Sequence, residues 1–329
     1  MKPKLLIVEL WGLGDLVIGS PLLRAAVEQY DVTLLAKPYA SQLQQRLWPA
    51  VRVITFVAPW TAFKGKYRLW RWPVGTLLKT LWRLRRERFD FGISARWDPR
   101  DHFLLSFVGV KTRLGYPRLG SGVFLTQSLH RPAPLSHRYE YWRSLGDSLR
   151  LRLPPLGAIP IVQAHPSRTI LVHSGAGQSV RVWPLERFQK IINRLRAEDF
   201  DVLVACDPDQ RDAWLRLGEN SVVAPASVNG LLALIESAGM FVGNDSGPGH
   251  LAAFCGLPTF SVFGPQLPEW FAPLHPEGES VEGKPCPYKP CSDYCRFAEP
   301  ICLTRLTEAE VWVRLQQFVA RHAPATAAR

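Results

Sequence analysis

The chain has 329 residues, 47% of them hydrophobic, and a formal charge of +12 from 40 basic and 28 acidic side chains. That composition excludes an intrinsically disordered chain, and the length suits two domains, each with its own core. No run reaches the roughly 18 apolar residues that a membrane span needs, and the first apolar run stops at Glu9, short of a signal-peptide core, so a cytoplasmic protein is expected.

The first half alternates strand and helix signals. "KLLIVEL" reads as a buried strand, and "SPLLRAAVEQY" has helical spacing with Ser20 a candidate N-cap and Pro21 in the first turn. One helix from Gly14 with a kink at Pro21 is the alternative. "DVTLLAK" and "VRVITFVAP" are strands, "GTLLKTLWRLRRERF" is a helix and "FDFGISA" a strand. A Pro-rich stretch over residues 152 to 168 reads as a linker. The rhythm then restarts: "TILVHSGAG", "FDVLVAC", "MFVGND" and "PTFSVFGP" are strands, and "LERFQKIINRLRAE", "NGLLALIESAG" and "GPGHLAAFCG" are helices. Such βαβα order predicts an α/β protein with two doubly wound parallel sheets. Ligands are then expected at the carboxyl ends of the strands, in a cleft between domains.

Three motifs carry chemistry. "GLGDLV" lacks the third glycine of a dinucleotide fingerprint, with Val17 in its place, and the second strand ends in Lys37 instead of an acid. Asp15 is either a helix-capping acid or a carboxylate facing a ligand as a general base. "NDSGPGH" ends a strand at Asp245 and opens a helix whose free N–H groups suit an anion, with Ser246, Gly247 and His250 beside them. A capped helix with a structural histidine is the plainer reading. "HSGAGQSVRVWP" places Ser174, Gly175 and Gly177 after a strand and Arg181 before a helix; a guanidinium fork suits a diphosphate, while an ordinary turn with a surface arginine is the alternative.

In this order the pieces "GLGD", "RFDFGIS", "HSGAG…RVWP", "NDSGPGHLAAFCGLPTFSVFGP" and a cysteine-rich tail resemble the ADP-heptose lipopolysaccharide heptosyltransferases of glycosyltransferase family 9, over nearly the whole chain. The resemblance implies the GT-B fold, two Rossmann-like domains with an interdomain cleft. Residues 1–155 would bind the acceptor and 156–329 the nucleotide-sugar donor. It implies an inverting glycosyltransferase that moves heptose from an ADP-sugar to a lipopolysaccharide core or similar lipid-linked, phosphorylated saccharide. Asp15 then matches the base. Ser174, Gly175, Gly177, Arg181, Asp245, Ser246, Gly247 and His250 fall to the donor, and Gly12, Gly14, Lys64 and Lys66 to the acceptor. Arg181 stands where the family has a lysine. Gly249 stands where it has a larger residue, which predicts a wider or differently shaped donor pocket. Gln210, in "CDPDQ", lacks the carboxylate of the family's "GGPDE". The same fold acting on another nucleotide sugar, or on a protein acceptor, is the alternative within the class.

Cys286, Cys291, Cys295 and Cys302 fall in one loop, 286–302, at C-x4-C-x3-C-x6-C. Four reduced thiols, or a structural zinc or iron held by four thiolates, both fit; a closed four-cysteine shell has no open position for catalysis, and no catalytic metal is expected. Residues 64 to 88 hold nine cations against Glu87, interleaved with Trp70, Trp72 and Trp82. A solvated basic helix, an anionic membrane surface and nucleic acid all suit such a segment. The resemblance favours peripheral attachment at the cytoplasmic face of the inner membrane. A non-catalytic nucleic-acid-binding protein is the alternative from another class, and it leaves Asp15 and the Asp245 turn unexplained.

Overall fold

The first apolar run forms β1 (Lys4–Glu9), whose residues from Leu5 onward are all buried. The computed structural model describes residues 1–61, 72–160, 166–291 and 294–324. Two units emerge, Met1–Pro155 and Leu156–Arg329.

In the first unit β1 is followed by α1 (Leu13–Ile18), α2 (Ser20–Gln29), β2 (Asp31–Ala36), α3 (Tyr39–Leu47), β3 (Arg52–Thr55), α4 (Val74–Arg86), β4 (Phe91–Ile93), α5 (Pro99–Val108), β5 (Thr112–Gly115), β6 (Gln127–Ser128) and α6 (Arg138–Ser148). The strands pair in the order β3-β2-β1-β4-β5-β6, all parallel. Strand order therefore reverses between β1 and β4, the switch point where open sheets of this kind bind ligands. The core behind it joins Leu6 and Val8 of β1 to Leu77 and Leu84 of α4 and to Leu104 and Leu105 of α5.

The expected helix after β1 is two helices, separated at Gly19. Ser20 is not the N-cap: Gly19 holds that position, and the Ser20 hydroxyl instead donates back to the Leu16 carbonyl at 3.2 Å. A Cβ at Gly19 would stand 2.9 Å from the Trp142 ring, so close packing on α6 explains why glycine occupies the junction. α5 starts on Asp98, whose carboxylate accepts the Arg100 N–H at 2.9 Å, and it ends at Gly109 with φ 77, a left-handed cap that favours glycine.

The second unit runs β7 (Thr169–His173), α7 (Leu185–Ala197), β8 (Asp201–Ala205), α8 (Arg211–Arg216), α9 (Val228–Glu236), β9 (Met240–Asn244), α10 (Gly247–Phe254), β10 (Thr259–Phe263), α11 (Pro268–Phe271), β11 (Glu279–Glu282), α12 (Ile301–Thr304) and α13 (Glu308–His322). Its parallel sheet has the order β11-β10-β9-β7-β8, with the switch point between β7 and β9. β9 and β10 are buried along their whole length, as strands covered on both faces should be. α7 and α13 close this core through Phe188, Ile192, Leu315 and Phe318.

Candidate active site

Each switch point carries a polar cluster. In the first unit, β1 delivers Glu9 and the following turn delivers Trp11, Gly12 and Asp15. β4 ends just before Ser94, Ala95 and Arg96. Arg96 forms an ion pair with the Asp15 carboxylate, and the Gly12 N–H donates to Asp15 Oδ2 at 3.3 Å. Burial pushes the Asp15 carboxyl up, but Arg96, Arg138 and the Gly12 N–H together outweigh it and hold its pKa below the ordinary value. Asp15 thus both caps α1 and stands charged in a half-open position, its side chain 16% exposed. A Cβ at Gly12 would lie 3.2 Å from Asp15 Oδ2, so the glycine makes room for this carboxylate.

Several neighbours carry no motif. Arg96 lies 5.0 Å above the Trp11 ring, and its backbone N–H donates to the Ser94 hydroxyl at 3.2 Å. Ser94 in turn donates to the buried carboxyl of Asp101 at 3.1 Å. Arg138, from α6, stacks over Trp97 at 4.3 Å and Tyr141 at 4.8 Å. Lys37, just past β2, interacts with Glu9, Asp15 and Arg96. Lys64 and Lys66 lie outside the described residues.

In the second unit, β7 ends at His173 and β9 at Asn244. The Asn244 side chain bridges two loops: it donates to the Ser174 carbonyl at 2.7 Å and accepts the Trp183 N–H at 3.0 Å. Arg181 Nη1 then sits 3.4 Å from the buried carboxylate of Asp245. Ser246 takes the N-cap position of α10 in extended geometry, and its buried hydroxyl has no hydrogen-bond partner. Gly247 opens the helix and His250 is buried one turn on. The second unit thereby gathers Arg181, Asp245, Ser246, Gly247 and His250 around the end of β9 and the start of α10, where free N–H groups and the helix dipole favour an anion. Gly177 has open space where a side chain would be. Gly175 abuts the Asp207 carboxylate, which a Cβ would meet at 2.4 Å.

Two sequence expectations change here. The hydroxyl of Ser174 is engaged within the protein, donating to Gln210 at 2.9 Å and accepting from Trp214 Nε1 at 2.8 Å. Gln210 is thus a clamp on Ser174. A Cβ at Gly249 would meet Phe241 at 3.4 Å and the Asn244 carbonyl at 3.7 Å, so that glycine faces the sheet and does not widen a pocket.

The four clustered cysteines all line one small cavity of about 10 Å³ with Val180, Pro265 and Lys289. Cys291 donates to the Tyr288 carbonyl at 3.0 Å and Cys295 to the Glu299 carbonyl at 3.5 Å. Burial first, then neighbouring cysteines, pushes the Cys291 thiol up. Among the described residues, no three His, Cys, Asp or Glu side chains are arranged to hold a metal ion.

Two parallel α/β units of this kind are shared with solved GT-B glycosyltransferases. Escherichia coli heptosyltransferase WaaC with ADP superposes with a TM-score of 0.74 at 19% identity, covering 97% of this chain and 100% of that one. The iron-containing dodecameric glycosyltransferase TibC of enterotoxigenic E. coli superposes at a TM-score of 0.57 and 16% identity, covering 98% of this chain and 78% of that one. The sequence profile of glycosyltransferase family 9 (heptosyltransferase) matches residues 78–300, and the chain belongs to that family. Lipopolysaccharide heptosyltransferase 1 of Pseudomonas aeruginosa is 26% identical, the alignment covering 96% of this chain and 98% of that protein.

Proposed function

We propose that the chain transfers heptose from ADP-heptose to a lipopolysaccharide core acceptor with inversion at the anomeric carbon. Family membership over residues 78–300 carries this reading, and the P. aeruginosa relative supports the sugar. In the proposed step the acceptor hydroxyl oxygen bonds to the anomeric carbon as the bond to the β-phosphate oxygen breaks. The hydroxyl proton passes to the Asp15 carboxylate, and ADP leaves with the bonding pair. Arg181, the Ser246 hydroxyl and the first N–H groups of α10 meet the negative charge that builds on the diphosphate. Lys37 and Arg96 supply positive charge beside the base for a phosphorylated acceptor. The test is a panel of ADP-, UDP- and GDP-sugars with lipopolysaccharide acceptor, read by product mass. A heptose-sized mass gain from ADP-heptose is expected, and transfer from a UDP- or GDP-sugar in its place would overturn the assignment.

Membrane-surface attachment belongs to the same reading. No helix among the described residues is long and apolar enough to cross a membrane. α4 instead exposes Val74, Leu78 and Trp82, with Arg86 stacked 3.2 Å over the Trp82 ring. Lys79, Arg83, Arg85 and Arg86 give that helix four cations and no acid. Arg85 donates to the Phe107 carbonyl at 2.6 Å, which brings α5 with its exposed Phe103 and Phe107 alongside. Such a face suits an anionic bilayer. Flotation should recover the protein with anionic vesicles but not neutral ones; equal recovery would end the idea.

The cysteine cavity has about the room of one ion, and four thiols are a donor set for zinc or iron once deprotonated. Cys286, Cys291, Cys295 and Cys302 would hold such an ion in a structural role once Cys291 and Cys295 turn from the carbonyls of Tyr288 and Glu299 into the cavity. Protein purified without chelator should carry about one equivalent of zinc or iron, as a closed single-ion shell requires; a content below about a tenth of that would remove the proposal.

A further inference from the structure

Glu9 is the last residue of β1 and is only 2% exposed. Its Oε1 accepts the Trp11 N–H at 3.0 Å. The Trp11 carbonyl accepts the Tyr39 hydroxyl at 3.0 Å, and the Trp11 ring lies under Arg96. The next residue, Gly12, turns its own N–H onto Asp15. The carboxyl of Glu9 is therefore the inner anchor of the turn that aims Asp15, although the sequence offers it only as the end of an apolar strand.

We propose that Glu9 is a positioning residue for Asp15, holding the 10–12 turn through the Trp11 N–H and setting the basicity of the Asp15–Arg96 pair through its own charge. This inference rests on the glycosyl-transfer reading of Asp15. Every element packed around Glu9 brings a charged or titratable group: Asp15 from α1, Lys37 and Tyr39 from the β2–α3 side, Arg96 and Asp101 from the β4–α5 side, and Arg138 from α6. Burial, then the negative charge of Asp15, pushes the Glu9 carboxyl up to about 8. Two acids in one network, Glu9 buried and Asp15 half-open, are thus driven apart, Asp15 toward the charged form and Glu9 toward the neutral one. The Trp11 N–H can be accepted by Glu9 in either form, so the turn is held at all pH values. The charge is a separate effect. Below pH about 8 Glu9 is neutral; above it, a second negative charge raises the affinity of Asp15 for a proton and strengthens it as a base.

The test compares Glu9→Ala with Glu9→Gln in the full-length enzyme. Glu9→Ala removes the acceptor of the Trp11 N–H. It should lower kcat at pH 7 by about tenfold or more, with the donor KM within about twofold of the wild type, because a loosened base affects the reacting geometry more than donor binding. Glu9→Gln keeps an acceptor oxygen of the same reach and should recover most of that loss at pH 7. The wild type should show a rise in kcat through pH 8, and Glu9→Gln should lose it. A Glu9→Ala enzyme with wild-type kcat, or a Glu9→Gln enzyme that keeps the rise through pH 8, overturns the proposal. Glu9→Gln is close in volume to the native residue, so the pH comparison stands even where Glu9→Ala does not fold. Asp15→Ala is the control. If it retains transfer, the reading of Asp15 has failed; if it is inactive while both Glu9 variants behave as wild type, only the role of Glu9 has failed.

Discussion

Asp15→Ala should lower turnover by about 10³-fold, the middle of the range for removing a positioned base, while ADP binds as tightly as to the wild type. The split follows from where the groups sit. Asp15 belongs to the first unit, at the β1–β4 switch point, and its contacts are Arg96 and Gly12. Arg181, Asp245 and Ser246 are held by the second unit through Asn244 and α10. Removing a carboxylate from one unit leaves the other unit's anion equipment intact. Calorimetry with ADP and a turnover assay on the same preparation decide it. Wild-type turnover in the variant would remove Asp15 from the chemistry.

Arg181→Ala should reduce donor kcat/KM by about 10²- to 10³-fold, as expected when a cation meeting a departing anion is lost. Two effects add. The diphosphate loses a guanidinium, and the carboxylate of Asp245, only 4% exposed, loses a positive neighbour and becomes repulsive toward the ligand. Arg181→Lys should recover part of the loss, since a point charge replaces a two-pronged donor. Here ADP affinity should fall together with turnover. An ADP dissociation constant within about twofold of the wild type would exclude Arg181 from the diphosphate site.

Much of the fold was legible because strands buried on both faces are written as near-continuous apolar runs. β1, β2, β7, β9 and β10 all read that way, and all are largely or wholly buried. α4 and α7 were legible from their spacing of leucine and isoleucine. α5, "PRDHFLLSFV", carries no amphipathic signal because its polarity is inverted: Phe103 and Phe107 are exposed while Asp101 and His102 are as buried as Leu105, so no polar face marks it. Serine is a good cap by local preference, yet α2 starts from Gly19, because close packing against Trp142 needs glycine there.

The candidate site divides in the same manner. Asp15 and Asp245 were legible because each stands in a glycine turn directly after an apolar strand. Arg96, Lys37 and Arg138 were not, because parallel strands need long crossovers and so bring to Asp15 residues 22 to 123 positions away in the chain, while Glu9 reads only as the end of an apolar strand. Nothing local in "ISARWD" marks Arg96 as a partner for Asp15. The one signal available was position: Arg96 follows the strand beside β1 in a doubly wound sheet. Gln210 and Ser174 show the converse. Their loops were identified, but the hydroxyl and amide bond each other, which only the pairing of β7 with β8 and the approach of α8 decide.

Asn244 has one more consequence. Its amide fixes the loop after β7 at Ser174 and the loop before α7 at Trp183, and the Trp183 indole is pinned again by the Leu306 carbonyl at 2.9 Å. Those backbone segments are therefore ordered before any nucleotide arrives. The entropy of arranging them has already been lost during folding, so it is not charged against ligand affinity. A modest number of contacts to a diphosphate can then yield useful binding, because little of their free energy is consumed in shaping the site that makes them.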